Sequence, residues 1–417
     1  MNSFYSPDRV PARQIQPTAA RAVDYLVTPQ NSPAFEHRAS GSLERQRGDD
    51  CEARAQKRSA LGTTTKSRPT QTALRLERYA LQNQAAKLLP RERVKYCLRH
   101  RISAAGPVGI KYNPERQKAH LSNVQRCGSI WTCPVCAAQI SEKRKLEVKQ
   151  AIDAHRASGG FVSLLTLTVP HYSSTCLKTL RSGLQKATAR LFSTRSARAV
   201  WSEMGKEHHI KALEVTHGRN GWHPHYHVLL FTSKPIDDSH RSLLSVVWQN
   251  SCRLARLPIP SDEHGVDLRD GTYADQYVSK WGLEHEVTKA HLKTGKDGGL
   301  TPWDLLKLSL TCPDSAKLFQ EFAITFKGAR QLVWSRGLKA LYGIEDQTDQ
   351  ELAEETEKQA VEVMSLDALA WHLVTGYQRR AALLSCVEAD QLNGTRTAFD
   401  LIDSLALLEI EALRDSS

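Results

Sequence analysis

The chain has 417 residues, enough for one large or two moderate domains with an ample apolar core. Lys and Arg outnumber Asp and Glu by 57 to 45, and the net charge of +12 favours an anionic partner. No apolar run is long enough to span a bilayer and the polar N-terminus lacks the apolar segment of a secretory signal, so a cytoplasmic location with no membrane partner is expected.

Residues 1–75 scatter Pro, Ser, Thr, Arg and Gln without apolar periodicity, the composition of a disordered basic tail. From 72 to 89, Leu74, Leu76, Tyr79, Leu81 and Leu88 fall among good helix formers and predict a short helix. It leads into a cysteine-rich region, 76–158. Cys127, Cys133 and Cys136 cluster, with Cys97 upstream, and in an intracellular chain thiols and metal ligands come before disulfides. The Cys133-Pro134-Val135-Cys136 turn directs two thiolates inward, and zinc accepts four ligands tetrahedrally. Cys97 and Cys127 would complete a structural zinc site, with His100 as an alternative fourth ligand and a redox dithiol as the competing reading.

Residues 141–157 read as a basic helix, and 161–171 as a strand with two apolar faces, suited to the middle of a sheet covered by helices. Leu177, Leu180, Leu184 and Leu191 predict an amphipathic helix over 176–193. Then come a strand over 210–216, a turn at His217-Gly218-Arg219-Asn220-Gly221, and a second strand over 221–231. Side chains alternate along a strand, so His223, His225 and His227 project from one side and Tyr226, Val228 and Leu230 from the other. If the turn closes tightly, Glu214 lies opposite His225. A mixed His and carboxylate set suits a divalent cation, magnesium or manganese, that must also hold a phosphate oxygen. His225 and His227 are the core of that set, and Glu214 and His223 compete for the third position.

A helix is expected over 237–257, a short strand over 266–268, and a further helix beginning at Tyr273, where Thr272 and Asp275 resemble a capping box. On that helix Tyr273 and Tyr277 are four apart and share a face with Lys280 nearby. A phenol is a poor nucleophile at neutral pH, but a cation polarising a phosphate would raise its target's reactivity, and Lys280 would favour the phenolate. Residues 287–309 are rich in Lys and Gly before a short helix. After 343 the composition turns acidic, then helix-like over 360–384 and 398–413, giving a helical C-terminal region, 344–417.

The strand over 164–170, the His225-Tyr226-His227 core of the HPHYH run, and the tyrosine-bearing helix resemble, in order, the three motifs of the HUH endonucleases. More narrowly, the chain resembles the rolling-circle replication initiator (Rep) proteins of bacterial plasmids over roughly residues 90–343. The resemblance implies an α+β fold: an HUH-type central antiparallel sheet flanked by helices, a small Cys-rich zinc-binding element before it and a helical appendage after it. The catalytic part would be 159–343. It implies nicking of one strand at a replication origin by tyrosine attack, leaving a 5′-phosphotyrosyl link and a free 3′-hydroxyl, with a later transfer closing the displaced strand. His225 and His227 match the paired metal ligands and Tyr277 the nucleophile. Many single-tyrosine initiators carry a glutamate where this chain has Tyr273, and the Tyr-x3-Tyr spacing resembles phage-type initiators that alternate two tyrosines. Asp275 or Glu284 are alternative activators of water. Single-stranded and origin DNA are the implied partners, with host helicase and polymerase as further candidates. A transposase or relaxase of the same chemistry, or a non-enzymatic zinc-dependent DNA-binding regulator, are the other readings.

Overall fold

In the computed structural model, which describes residues 71–279, 299–354 and 360–415, the chain begins with helix α1, Gln71–Leu88. Strands β1 (Val108–Asn113) and β2 (Lys118–Ser122) pair antiparallel. Helix α2, Pro134–Ala157, starts where Cys133 caps it by accepting from the Cys136 amide, and Pro134 fits the first turn because its missing N–H has no partner to lose there. Then follow β3 (Phe161–Leu167), α3 (Leu177–Ser193), α4 (Arg195–Glu203), β4 (Lys206–Gly218) and β5 (Gly221–Thr232). Helix α5, Asp238–Leu254, opens on a capping box between Asp237 and His240. Strand β6 (Val266–Arg269) leads into α6 (Gly271–Ser279). The cap of α6 differs from the expected one: Asp270 accepts from the Thr272 amide at 2.9 Å, so the helix begins two residues before Tyr273. An Asp two residues upstream of a free N–H meets the same need as a threonine cap.

Beyond these lie α7 (Pro302–Leu308), α8 (Pro313–Phe326), β7 (Leu332–Trp334), α9 (Leu338–Leu341) and α10 (Asp349–Glu354). The last elements are β8 (Val361–Leu366), α11 (Ala368–Gly376), α12 (Arg380–Asn393) and α13 (Thr397–Asp415). All described residues belong to one compact unit, Cys51–Ser417.

The main sheet has the order β6-β3-β5-β4-β7, and every neighbouring pair is antiparallel. Its centre is the β4–β5 hairpin, closed by the two-residue loop Arg219-Asn220 between Gly218 and Gly221. Gly221 has φ +85°, and a Cβ there would sit 2.9 Å from Ser173 Cα, so only glycine suits both the turn and the close approach. Helices α3 and α5 pack together on one side, where Leu165, Leu167, Leu213, Val215, Val228 and Leu230 join the larger core. On the other side Leu164, Ile210, Leu229 and Phe231 meet Val148, Ala151 and Ile152 of α2 and Ala274 and Val278 of α6. Burying such side chains contributes about 1.5–3 kcal/mol each. That second face carries Glu214, His225 and His227.

The fold is α+β, and Cys97, Cys127, Cys133 and Cys136 all precede Phe161, where the first strand of the main sheet begins. The expected helix over 360–384 begins instead as a strand. Met364 and Leu366 are buried at period two, and β8 adds to β1 in a three-stranded sheet, β2-β1-β8. Strand pairing across some 250 residues overrides the local helical composition. Helix α12 then packs on α1, where Arg75 forms an ion pair with Glu388 at 2.5 Å, and Glu388 also accepts from the Ala119 amide.

Candidate metal and tyrosine site

Three ligand atoms, one each from Glu214, His225 and His227, lie within 4.8 Å of one another. The hairpin register explains it: Glu214 stands directly opposite His225, and Ala212 opposite His227, so the carboxylate reaches both rings from the adjoining strand. Glu214 Oε2 is 3.5 Å from His225 Nε2 and 3.6 Å from His227 Nε2. The far nitrogens are already engaged. His225 Nδ1 lies 3.2 Å from the His223 carbonyl, which only accepts, so Nδ1 carries the proton and Nε2 keeps its lone pair. His227 Nδ1 meets Thr166 Oγ1 at 3.0 Å, from the residue paired with it on β3.

Burial pushes the His227 imidazole down to about 4, so at neutral pH it is uncharged. Burial also opposes ionisation of Glu214, but His227, His225 and the Tyr277 hydroxyl outweigh it and hold the carboxyl at about 2. The donor chemistry of one carboxylate and two oriented imidazole nitrogens therefore fits a divalent cation.

Tyr277 comes to the same point from α6. Its hydroxyl donates to Glu214 Oε1 at 2.6 Å, and its ring lies 4.6 Å from that of His227. Ala274 and Val278 are buried against the sheet and fix the helix so that Tyr277 points inward between them.

Other expected residues stand elsewhere. His223 lies outside the ligand set: its Nδ1 is 3.0 Å from His171 Nδ1, and burial pushes it down to about 3. The strand alternation puts it on the right face, but one step beyond the reach of Glu214, opposite Thr216. Tyr273 is 45 % exposed, with the Arg269 guanidinium over its ring at 5.2 Å, and does not join the site. Lys280 and Glu284 lie outside the described residues. Asp275 pairs with Arg156 at 2.9 Å instead of facing the tyrosine. Thr166 was missed by sequence reasoning, since only the β3–β5 register shows what it touches.

The second cluster is Cys97, Cys127, Cys133 and Cys136, all buried, with sulfurs within 4.8 Å of one another. Cys97 lies 3.5 Å from Cys136 and 3.8 Å from Cys133, and Cys127 lies 3.7 Å from Cys136. A tetrahedron with metal–sulfur bonds of about 2.3 Å has edges of about 3.8 Å, so four thiolates fit one zinc-sized ion. Burial works against ionising Cys133, yet hydrogen bonds from the other three thiols and from the Cys136 amide hold it well below an ordinary thiol. His100 is no part of the set; its exposed ring packs on Tyr96 at 4.7 Å.

An α+β fold with an antiparallel sheet that brings a His-His-carboxylate set beside a tyrosine, and with a separate four-cysteine cluster, has two groups of side chains that could each hold a metal ion. A family model described as a replication protein (Rep_1) matches residues 118–380, well over half of the chain. The chain belongs to that family, the rolling-circle replication initiators of bacterial plasmids, which places it in the HUH superfamily. A protein rep of Streptomyces lividans is 27 % identical, with 64 % of this chain and 75 % of that protein covered. A protein rep of Bacillus amyloliquefaciens is 31 % identical over 43 % of this chain and 49 % of its own. A neomycin resistance protein of Streptomyces cyanogenus is 29 % identical over a shorter stretch, 25 % of this chain and 30 % of its own. No solved structure matches the chain. A replication initiator binds origin DNA. No described helix is long and apolar enough to cross a membrane.

Proposed function

We propose that the chain nicks one strand at its replication origin through Tyr277, within an HUH-type arrangement of the main sheet, and later rejoins the displaced strand. One observation carries the reading: the Tyr277 hydroxyl donates at 2.6 Å to the carboxylate that also faces His225 and His227. The strand residues and the helix residue are 50 or more positions apart, and a purely structural tyrosine has no need of that company.

Glu214, His225 and His227 would hold a magnesium or manganese ion, which when bound supplies a Lewis acid for the scissile phosphate. Thr166 and the His223 carbonyl keep both rings turned toward that position. Glu214 positions the phenol but does not hold its proton. Its carboxyl, held at about 2, is a far weaker base than a phenolate. The proton passes to solvent, and Lys280 favours the phenolate. The tyrosyl oxygen then bonds to phosphorus while the 3′-oxygen leaves with its electron pair and takes up a proton. The products are a 5′-phosphotyrosyl link and a free 3′-hydroxyl for a polymerase.

Tyr273 serves the second transfer, reached by movement of α6 after the first cut. The DNA strand runs along the sheet face past β7, where a cavity of about 590 Å³ is lined by Arg330, Trp334, Arg336 and Lys339. Cys97, Cys127, Cys133 and Cys136 hold a structural zinc. A basic arm (1–75), the cysteine-bearing region (76–158), the catalytic part (159–343) and the C-terminal region (344–417) divide the work, in the cytoplasm and with host helicase and polymerase. Incubating the protein with labelled single-stranded origin DNA and manganese tests the reading. A covalent adduct that disappears in Tyr277→Phe supports it, while binding without adduct across the origin sequence favours a non-enzymatic regulator.

A further inference from the structure

A guanidinium buried to 1 % exposure needs a countercharge, and Arg380, at the start of α12, is such a group. Its Nη1 donates to Gln82 Oε1 at 2.9 Å, to the Leu98 carbonyl at 3.0 Å and to the Cys97 carbonyl at 3.3 Å. Its Nη2 donates to Asn83 Oδ1 at 2.7 Å. Every one of these acceptors is neutral. Among the described residues no carboxylate forms an ion pair with it.

The missing negative charge lies one side chain further on. Gln82 is fully buried, and because an arginine can only donate, its amide oxygen must be the atom that faces Arg380. Its NH2 group therefore faces Cys133 Sγ, at 3.2 Å, and the sulfur must accept. The other donors at the cluster point the same way: the Cys136 amide to Cys133 Sγ at 3.5 Å and the Cys127 amide to Cys97 Sγ at 3.4 Å. A thiol sulfur accepts only weakly, whereas a thiolate accepts strongly, so a side chain and two backbone amides aimed at these sulfurs suit the charged form that a metal holds. A second guanidinium, Arg99, donates to the same Asn83 Oδ1.

The charges decide between the states of the cluster. Four neutral thiols would leave two guanidiniums sharing one amide oxygen, with the face of the Tyr79 ring, 5.2 Å from Arg380, but no anion among the described residues to offset them. Four thiolates around a divalent ion carry a net charge of −2, which Arg380 and Arg99 cancel. We infer that Arg380, relayed through Gln82, is the counter-ion of a dianionic tetrathiolate metal site, so that the first residue of α12 helps to retain a metal held by the cysteine region. The inference rests on the tetrathiolate reading given above.

The test uses the full-length protein loaded with one equivalent of zinc and titrated with a chelator of known affinity. Arg380→Met should weaken zinc by a factor on the order of 10–100, and Arg380→Lys should restore most of it, because charge and not shape is what the site needs. Gln82→Glu guards against simple misfolding: a carboxylate keeps, and strengthens, the link to Arg380, yet turns a repelling oxygen toward Cys133. It should therefore hold helix content by circular dichroism while losing zinc affinity at least tenfold. In cobalt-substituted protein the sulfur-to-cobalt charge-transfer band should shift in Arg380→Met and return in Arg380→Lys. Wild-type protein that takes up no zinc would overturn the tetrathiolate reading and this inference with it. Wild-type protein that binds tightly, with Arg380→Met and Gln82→Glu both within twofold of it, would overturn the inference alone.

Discussion

Thr166→Val removes one hydroxyl from β3 and keeps the branched shape that suits a strand. What it takes away is the partner of His227 Nδ1, 3.0 Å distant. When a cation takes the Nε2 lone pair, Nδ1 carries the proton and the Thr166 hydroxyl accepts it; without that acceptor this tautomer loses its support, and the one with a proton on Nε2 offers a cation no lone pair. A buried N–H left without a partner costs about 1–3 kcal/mol. Loss of a group that orients a ligating histidine corresponds to a factor of about 10–100 in metal affinity, or about 1.4–2.7 kcal/mol. The two ranges agree. Calorimetric titration of manganese into wild-type and variant protein reads the effect, and nicking rate against manganese concentration reads its consequence: a right-shifted curve that reaches the wild-type plateau. Equal manganese affinities, or a plateau that stays low at saturating metal, would refute the role given to Thr166.

A pH effect follows from His209, stacked on Phe192 at 4.1 Å, where burial, aided by Lys206 and Lys211, pushes the imidazole from 6.5 down to about 3. An unfolded chain takes up that proton near 6.5 and the folded one does not, so stability is full above that pH and falls toward 3 by at most about 1.4 kcal/mol per unit. His209→Phe should show a smaller fall in urea midpoint between pH 7.5 and 5.0 than wild type; an identical fall contradicts the assignment. Arg330→Ala with Arg336→Ala, both exposed beside β7, should flatten the salt dependence of single-strand binding by about 1.4 in log–log slope, two contacts at about 0.7 each. An unchanged slope would move the DNA path elsewhere. Tyr273→Phe should leave first-strand cleavage near wild type and depress rejoining of the displaced strand, whereas equal rejoining assigns the second transfer to water or to another residue.

Much of the site was legible because it depends on short-range rules. The His217–Gly221 turn and the two-residue period placed Glu214 opposite His225, and the cysteine spacing picked out four sulfurs that converge. The rest depends on which strands and helices meet. Thr166 acquires its role only from the β3–β5 register. His223 shares the face of His225 but stops one pair short of the carboxylate. The four-residue spacing of Tyr273 and Tyr277 was sound for a helix, yet α6 is nine residues long and seats itself by Ala274 and Val278, so only Tyr277 turns inward. Strand β8 and Arg380 were illegible for a stronger reason: their partners, β1 and Gln82, lie some 250 and 300 residues earlier, and no local pattern encodes such a meeting.

The most direct measurement is the identity of the residue that carries the DNA. Wild-type protein is incubated with manganese and a single-stranded oligonucleotide spanning its origin, digested, and sequenced by mass spectrometry. The account requires a nucleotide 5′-phosphate on Tyr277. A phosphate on a residue remote from Glu214, His225 and His227 would contradict it.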